Sequence, residues 1–222
     1  MAQLLNAFSI PIWKTNIDNT RYDKETVLGE MLHNFSVDPK RNAWDEVEGN
    51  LAKSNWHHSN HDDGNPVFKE ISYVDSGLAD ALNEEIKRFV EYLGLKNDIN
   101  YEFEITNYTV SEEGYFLTSH GHGGDDFSSV LFLQYDKKTH PSTVFNNPDN
   151  SSLFTRIIQK DLYESIDSTN PFFGYFHDDW QVDTEEDDYL IFPGHVKHEV
   201  PLIGKCSKPR VTLSINIKLK KC

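Results

Sequence analysis

The chain has 222 residues, with 21 Lys and Arg against 36 Asp and Glu, a formal net charge of −15. So acidic a chain is not expected to bind nucleic acid in general or an anionic membrane surface, because phosphate contacts need Lys and Arg. Hydrophobic residues at 37%, with 14 Phe, 10 Tyr and 4 Trp, supply a core and exclude global disorder, and two cysteines, Cys206 and Cys222, exclude a disulfide framework.

The opening MAQLLNAFSIPIW lacks a basic n-region and a small-residue cleavage site, and no apolar run approaches a membrane span. No signal peptide is expected, and a soluble, reducing, cytoplasmic setting follows. Phe8 to Trp13 is a short apolar stretch whose Pro11 suits an edge strand. A helix is expected from Tyr22, with Thr20 as cap, Asp23 at the third helical position and Leu28, Met31, Leu32 and Phe35 on one face. Residues 40 to 66 are polar and read as a long loop with short elements. Ser76 to Leu93 is the clearest helix, with a stripe of Ala79, Leu82, Ile86, Phe89, Val90 and Leu93, Gly94 as stop and Glu84–Arg88 as an i,i+4 pair.

After residue 100 the period shortens to two. Tyr101 to Val110, Tyr115 to His120, Val130 to Tyr135, Ser142 to Phe145, Gly174 to Val182, Asp188 to Phe192 and Val211 to Leu219 are strand candidates. Short strands separated by Gly, Pro, Asn and Asp indicate a sandwich or barrel. The expected architecture is one mainly β domain over 1–222, with residues 1–100 as helical support packed on one sheet and 101–222 as the β core.

Three histidines stand out by context. His120 and His122 form an H-x-H pair at the end of a strand, where residues two apart share a face, and His198 follows the Pro193-Gly194 turn. A close pair with a distant third ligand is one way to build an open metal site, and a bland pair of surface or core histidines is the competing reading. Arg210 opens a strand in which Val211, Leu213, Ile215, Ile217 and Leu219 line one face and Arg210, Thr212, Ser214 and Asn216 the other. That polar face suits a carboxylate clamp inside a barrel, or else solvent, with Lys218 and Lys220 continuing its parity. Asn107 follows Tyr101, Phe103 and Ile105 on an otherwise apolar face and needs a partner or a ligand.

The stretch from Gly114-Tyr115 through Ser119-His120-Gly121-His122 to Ser129-Val130-Leu131-Phe132-Leu133 resembles the metal-binding strand of the Fe(II)/2-oxoglutarate-dependent oxygenase superfamily. The block from Asp188 to Pro201, with Phe192-Pro193-Gly194 and His198, is similar to that superfamily's distal-histidine element. Arg210-Val211-Thr212, twelve residues after His198, resembles its R-x-S/T element. Phe8 to Trp13 is similar to the start of a small branch with many bacteriophage-encoded members. The resemblance covers Tyr101 to Asn216 well and the N-terminal third loosely; its strength lies in the order and spacing of the motifs together.

The resemblance implies a double-stranded β-helix (jelly-roll) core, Fe(II) and 2-oxoglutarate as cofactors, and oxidation of a C–H bond in a small-molecule or peptide substrate, with hydroxylation as the expected outcome. It implies metal ligands at His120 and His198, with His122 at the position where the family carries a carboxylate. Asp125 or Asp126 is an alternative third ligand if the loop folds back. Arg210, with Thr212, Ser214 and Asn107, would hold 2-oxoglutarate. If phage-encoded, the protein would act in the cytoplasm of a bacterial host. A homo-oligomer is compatible with the sequence.

Two further readings stand beside this one: a three-His cupin-like metalloenzyme without 2-oxoglutarate, and a non-catalytic jelly-roll binding or virion module. His57, His58 and His61 cluster in a polar loop that suits adventitious metal, His195 competes with His198 and is expected to face solvent, and His140 and His177 have no supporting context. Trp56, Tyr108, Tyr115 and Trp180 read as core or pocket wall. Ten acids and no Lys or Arg lie between residues 161 and 188. They suit a solvated loop, or a rim of the site that repels anionic substrates.

Overall fold

A computed structural model describes residues 10–39, 56–59, 67–95, 99–148 and 179–221. In chain order it contains β1 (Trp13–Asn16), α1 (Lys24–Val37), β2 (Trp56–Ser59), α2 (Leu78–Tyr92), β3 (Ile99–Ser111), β4 (Leu117–His120), β5 (Phe127–Gln134), β6 (Val144–Asn146), β7 (Asp179–Gln181), β8 (Asp188–Pro193), β9 (His198–Val200) and β10 (Arg210–Lys221). The strands form two antiparallel sheets, one of six strands in the order β1-β8-β5-β10-β3-β2 and one of four in the order β4-β9-β6-β7. The architecture is mainly β with flanking helices, the jelly-roll arrangement expected from the sequence.

Period-two patterning decides which way each long strand faces. Val211, Leu213, Ile215 and Ile217 of β10 are buried with Leu131 and Leu133 of β5 and Tyr189 and Ile191 of β8. They meet Val27 and Met31 of α1 and Leu78, Leu82, Ile86 and Phe89 of α2, so both helices cover one face of the six-stranded sheet. Burial of this apolar surface is the main favourable term in the fold. A second cluster, with Phe132, Leu190 and Phe192 opposite Phe145, fills one end of the space between the sheets.

The helices differ in detail from the sequence reading. Asp23 is itself the N-cap of α1, with its carboxylate accepting from the Thr26 N–H at 3.1 Å, and Thr20 sits in the preceding 3-10 turn. An aspartate directly before the first turn satisfies its free amides, which a threonine three residues upstream does not reach. On α2 the inward residues include Leu78, Ala81 and Glu85, whereas Ala79 is only partly buried. Arg88 pairs with Glu85 at 3.0 Å, and Glu84 pairs with Arg21, so the expected Glu84–Arg88 pair is not formed. Glu85 is 1% exposed and also takes Arg21 at 2.9 Å, which is what lets a carboxylate face the core.

Strand positions also shift. β1 begins at Trp13, past Pro11, because proline cannot donate to the ladder; residues 1–9 are outside the described residues. β4 starts at Leu117 rather than Tyr115, β6 at Val144 rather than Ser142, and β7 at Asp179, with residues 149–178 outside the described residues. Within the long polar loop, Trp56–Ser59 pairs with β3 as β2.

A bulge in β3 places the site. Ser214 pairs with Asn107 but Ile215 pairs with Ile105, so Thr106 is the extra residue, and its hydroxyl donates to the Ser214 carbonyl at 3.1 Å. An extra residue inverts the alternation. Tyr101, Phe103 and Ile105 pack on the helix side, and beyond the bulge Tyr108 and Val110 do so, which turns Asn107 and Thr109 to the opposite face. Asn107 therefore does not interrupt an apolar face, as the plain alternation implies; it belongs to a polar one.

Candidate metal centre

Three polar cross-strand pairs floor the space between the sheets: Arg210↔Ser111, Thr212↔Thr109 and Ser214↔Asn107. The intervening pairs, Val211↔Val110 and Leu213↔Tyr108, are apolar and face the helices. Of the polar face of β10, Arg210 and Thr212 are buried, while Lys218 and Lys220 at its far end are exposed, so the clamp and solvent readings apply to different halves of one strand.

Across this floor stand the histidines. His120 at the end of β4 pairs directly with His198 at the start of β9, and their ring centroids lie 4.3 Å apart. His122 lies past the end of β4, so pleat alternation is not what aims it. Its N–H donates to the Gly194 carbonyl at 2.7 Å, and the Gly194 N–H donates to the Asp126 carbonyl at 3.0 Å. A Cβ on Gly194 would fall 2.4 Å from the Asp125 carbonyl oxygen and 2.8 Å from that of His122, so only glycine admits this close approach. The turn thus brings the His122 ring within 5.2 Å of the His198 ring.

One ligating nitrogen from each of His120, His122 and His198 lies within 4.8 Å of the others, close enough to share an ion after a small inward adjustment. The tautomers suit this. Nδ1 of His120 is 2.9 Å from the Thr118 carbonyl and Nδ1 of His198 is 3.1 Å from the Val196 carbonyl. A carbonyl only accepts, so each Nδ1 carries the proton and each Nε2 keeps its lone pair. Burial pushes His198 down to about 3 and His122 down to about 4, each helped by the neighbouring His120, and burial also lowers His120. The imidazoles are neutral near pH 7, the form that binds metal.

Arg210 shares this pocket and is 2% exposed. Its guanidinium lies over the Phe132 ring, 5.1 Å to the centroid, and Nη1 donates to Thr212 Oγ1 at 3.4 Å. Its Nε is buried with no hydrogen-bond partner, and among the described residues no carboxylate pairs with it. Burial lowers its proton affinity, yet an arginine stays charged in proteins. A buried cation without an acid is costly, and an anionic ligand removes that cost.

Ser214 and Asn107 also line the pocket, as do Thr109, Ser128 and Thr143, which the sequence reading did not select. The buried Tyr115, read from sequence as core or pocket wall, is part of the wall. Thr109 becomes visible only once the bulge puts it on the face of Asn107; nothing in the sequence points to Thr143. Asp125 is turned to Lys218 at 3.4 Å and Asp126 accepts from the Leu219 N–H at 2.8 Å, and neither carboxylate belongs to the histidine group. His195 is exposed, as expected. His140 is buried and structural: the Asp136 N–H donates to its Nδ1 and its Nε2 donates to the Lys208 carbonyl, both at 2.9 Å. Tyr108 is core, bonded to Asn34 at 2.8 Å, and Trp180 is 41% exposed on β7. The side chains of Trp56, His57, His58, His61 and His177 lie outside the described residues.

Of the acids from Asp183 to Asp188, Asp183 and Glu185 are exposed, as in a solvated run, Glu186, Asp187 and Asp188 are drawn inward, and none lines the pocket. Lys14 takes Asp188 at 2.9 Å, Lys24 takes Asp187 at 2.6 Å and Glu186 at 2.9 Å, Lys208 takes Glu186 at 2.9 Å, and Lys137 takes Asp183 at 2.6 Å. They are ties between the start of β8 and the surrounding elements. The earlier acids, from 161 to 178, lie outside the described residues. Among the described residues no helix is long and apolar enough to cross a membrane.

No protein-family model matches the chain, and no curated protein matches it in sequence. Solved structures match its fold. A prolyl-4-hydroxylase from Pseudomonas putida is similar at 13% identity and a TM-score of 0.51, over 93% of this chain and 86% of that one. A prolyl hydroxylase from Trichoplax adhaerens, solved in complex with a hypoxia inducible factor oxygen degradation domain peptide fragment, is similar at 11% identity and a TM-score of 0.54, over 93% of this chain and 83% of that one. At such identities the likeness is one of fold.

Proposed function

We propose that the protein is a non-haem Fe(II)- and 2-oxoglutarate-dependent oxygenase, and specifically a hydroxylase. The observation that carries this reading is Arg210, a buried guanidinium with no acidic partner among the described residues, in the same pocket as three neutral imidazoles whose ligating nitrogens lie within 4.8 Å of one another. His120, His122 and His198 would hold the metal. Bound Fe(II) would supply oxygen activation, coupled to oxidative decarboxylation of 2-oxoglutarate to succinate and CO₂. Arg210 would take the distal carboxylate, which supplies the counter-charge it lacks, while Thr212, Ser214 and Asn107 offer hydrogen bonds along the floor. Leu117, Val130, Phe192 and Val200 form apolar walls that keep water from the reacting centre.

The fold likeness to prolyl hydroxylases supports a peptide side chain as one candidate substrate beside a small molecule. A three-His enzyme working without 2-oxoglutarate would leave Arg210 unexplained. The test is anaerobic addition of Fe(II) and 2-oxoglutarate to the protein. A weak visible charge-transfer band is expected, absent in Arg210→Ala and in His198→Ala. No band in the native protein would contradict the proposal.

A further inference from the structure

Arg210 opens β10, where the sheet ladder holds it on one side only. In β3 its register partner is Ser111, but the β10–β5 ladder begins at Val211↔Gln134, and the register slips at the next residue, where Thr212 pairs with Phe132. The residue before it, Pro209, has no N–H to donate. Two side chains supply the missing hold. Gln134 Nε2 donates to the Pro209 carbonyl at 2.8 Å, and His140 Nε2 donates to the Lys208 carbonyl at 2.9 Å.

His140 is itself fixed on both sides. It is buried, its Nδ1 accepts from the Asp136 N–H at 2.9 Å, and its own carbonyl accepts from the Tyr135 hydroxyl at 2.8 Å. Only a neutral imidazole with its proton on Nε2 accepts at one nitrogen and donates at the other, and burial, which lowers its proton affinity, favours that form. The Tyr135 ring lies edge-on to the Phe132 ring, with centroids 5.2 Å apart, and Phe132 lies under the Arg210 guanidinium. The turn from Tyr135 to His140 therefore reaches Arg210 by two routes, one through the backbone at Lys208 and Pro209 and one through the rings beneath the guanidinium. The Lys208 ammonium adds a third tie: it pairs with Glu186, whose carboxylate also accepts from the Tyr135 N–H at 3.0 Å. Neither His140 nor Gln134 lines the pocket, so both bear on it through Arg210.

Resting on the reading of Arg210 as the partner of the distal carboxylate, we propose that His140, with Gln134, is a positioning residue for that arginine: it fixes the backbone from which Arg210 springs and so aims the guanidinium into the pocket. A long side chain recognises a carboxylate well only when its own base is held, which is the work of such outer contacts.

The test uses the full chain and two substitutions that divide the bonds of His140. His140→Asn can still accept from the Asp136 N–H but is too short to reach the Lys208 carbonyl, whereas His140→Gln restores a donor at that distance. Calorimetry on the Mn(II)-loaded protein should show 2-oxoglutarate weakened about tenfold or more in His140→Asn, with Mn(II) affinity within about threefold of native, and 2-oxoglutarate affinity recovered to within about threefold in His140→Gln. Gln134→Ala should weaken 2-oxoglutarate by about threefold or more in the same selective way. In an Arg210→Ala background, His140→Asn should cost less than about twofold further, because the two residues act as one unit. A second readout needs no ligand: the Arg210 Nε–H resonance of the metal-free protein, assigned by its loss in Arg210→Lys, should shift in His140→Asn and return in His140→Gln. Unchanged 2-oxoglutarate affinity in both His140→Asn and Gln134→Ala, equal losses of metal and 2-oxoglutarate, full additivity with Arg210→Ala, or an unmoved resonance overturns the proposal. If the native protein binds no 2-oxoglutarate, the dicarboxylate reading fails, while the resonance still decides whether His140 positions Arg210.

Discussion

Arg210 is buried with its Nε unsatisfied, so among the described residues only the Phe132 ring and the long Thr212 hydrogen bond offset the desolvation of its charge. A buried charge that lacks a counter-charge among the described residues is costly, so an apolar side chain of similar length removes that cost. Arg210→Met should therefore melt no lower than the native protein in the absence of ligand and lose any stabilisation by 2-oxoglutarate, both read by thermal unfolding. The histidines act on stability through protons. His198 is lowered from an ordinary 6.5 to about 3, chiefly by burial, so the unfolded chain binds a proton that the folded chain refuses between those values. Stability is thus fully present above pH 6.5 and falls as pH drops toward 3. Urea midpoints of the metal-free protein should decline over that window, and less steeply in His198→Gln. At this scale the residue types and their order along the chain pointed to His120, His198 and Arg210. The rest was hidden by geometry: Asp125 lies only three residues beyond His122, and its turn toward Lys218 and its place outside the histidine group show only in the structure.

At the scale of elements, two short irregularities determine what the site contains. The β3 bulge at Thr106 turns Asn107 and Thr109 inward, and the β8–β9 turn at Gly194 swings His122 toward His198. Gly194→Ala would drive a Cβ into the Asp125 carbonyl at 2.4 Å, which the backbone must move to avoid. We expect a loss of about 1–3 kcal/mol in unfolding free energy and metal binding weakened at least about tenfold, measured by denaturation and by metal titration. Strand alternation was legible because period two follows from the pleat, but a bulge has no sequence signature, so Asn107 came out on the wrong face. The Pro193-Gly194 turn was readable as a turn. Its close approach to the His122 loop was not, because that depends on a contact between segments some 70 residues apart along the chain, as in His122 N–H to the Gly194 carbonyl.

Taken whole, the molecule separates its charges. The acids at the start of β8 are bound to Lys14, Lys24, Lys137 and Lys208, whereas the pocket between the sheets holds histidines, hydroxyls and one arginine. Lys24, 13% exposed and held by two acids, should be structural: Lys24→Ala is expected to lower unfolding free energy by about 1–3 kcal/mol without changing metal affinity. The sheet-and-helix layout was legible because apolar periodicity and motif order act over long stretches. The pairing of the acids was not, since a charge run looks the same whether solvated or tied down. The account's central claim is that the three histidines and Arg210 form one site for a metal and a dicarboxylate. Calorimetric titration of 2-oxoglutarate into the Mn(II)-loaded protein tests it most directly. One molecule should bind per chain, with affinity that falls at least about a hundredfold without metal or in Arg210→Ala. No binding to the loaded native protein, or binding indifferent to both the metal and Arg210, would contradict it.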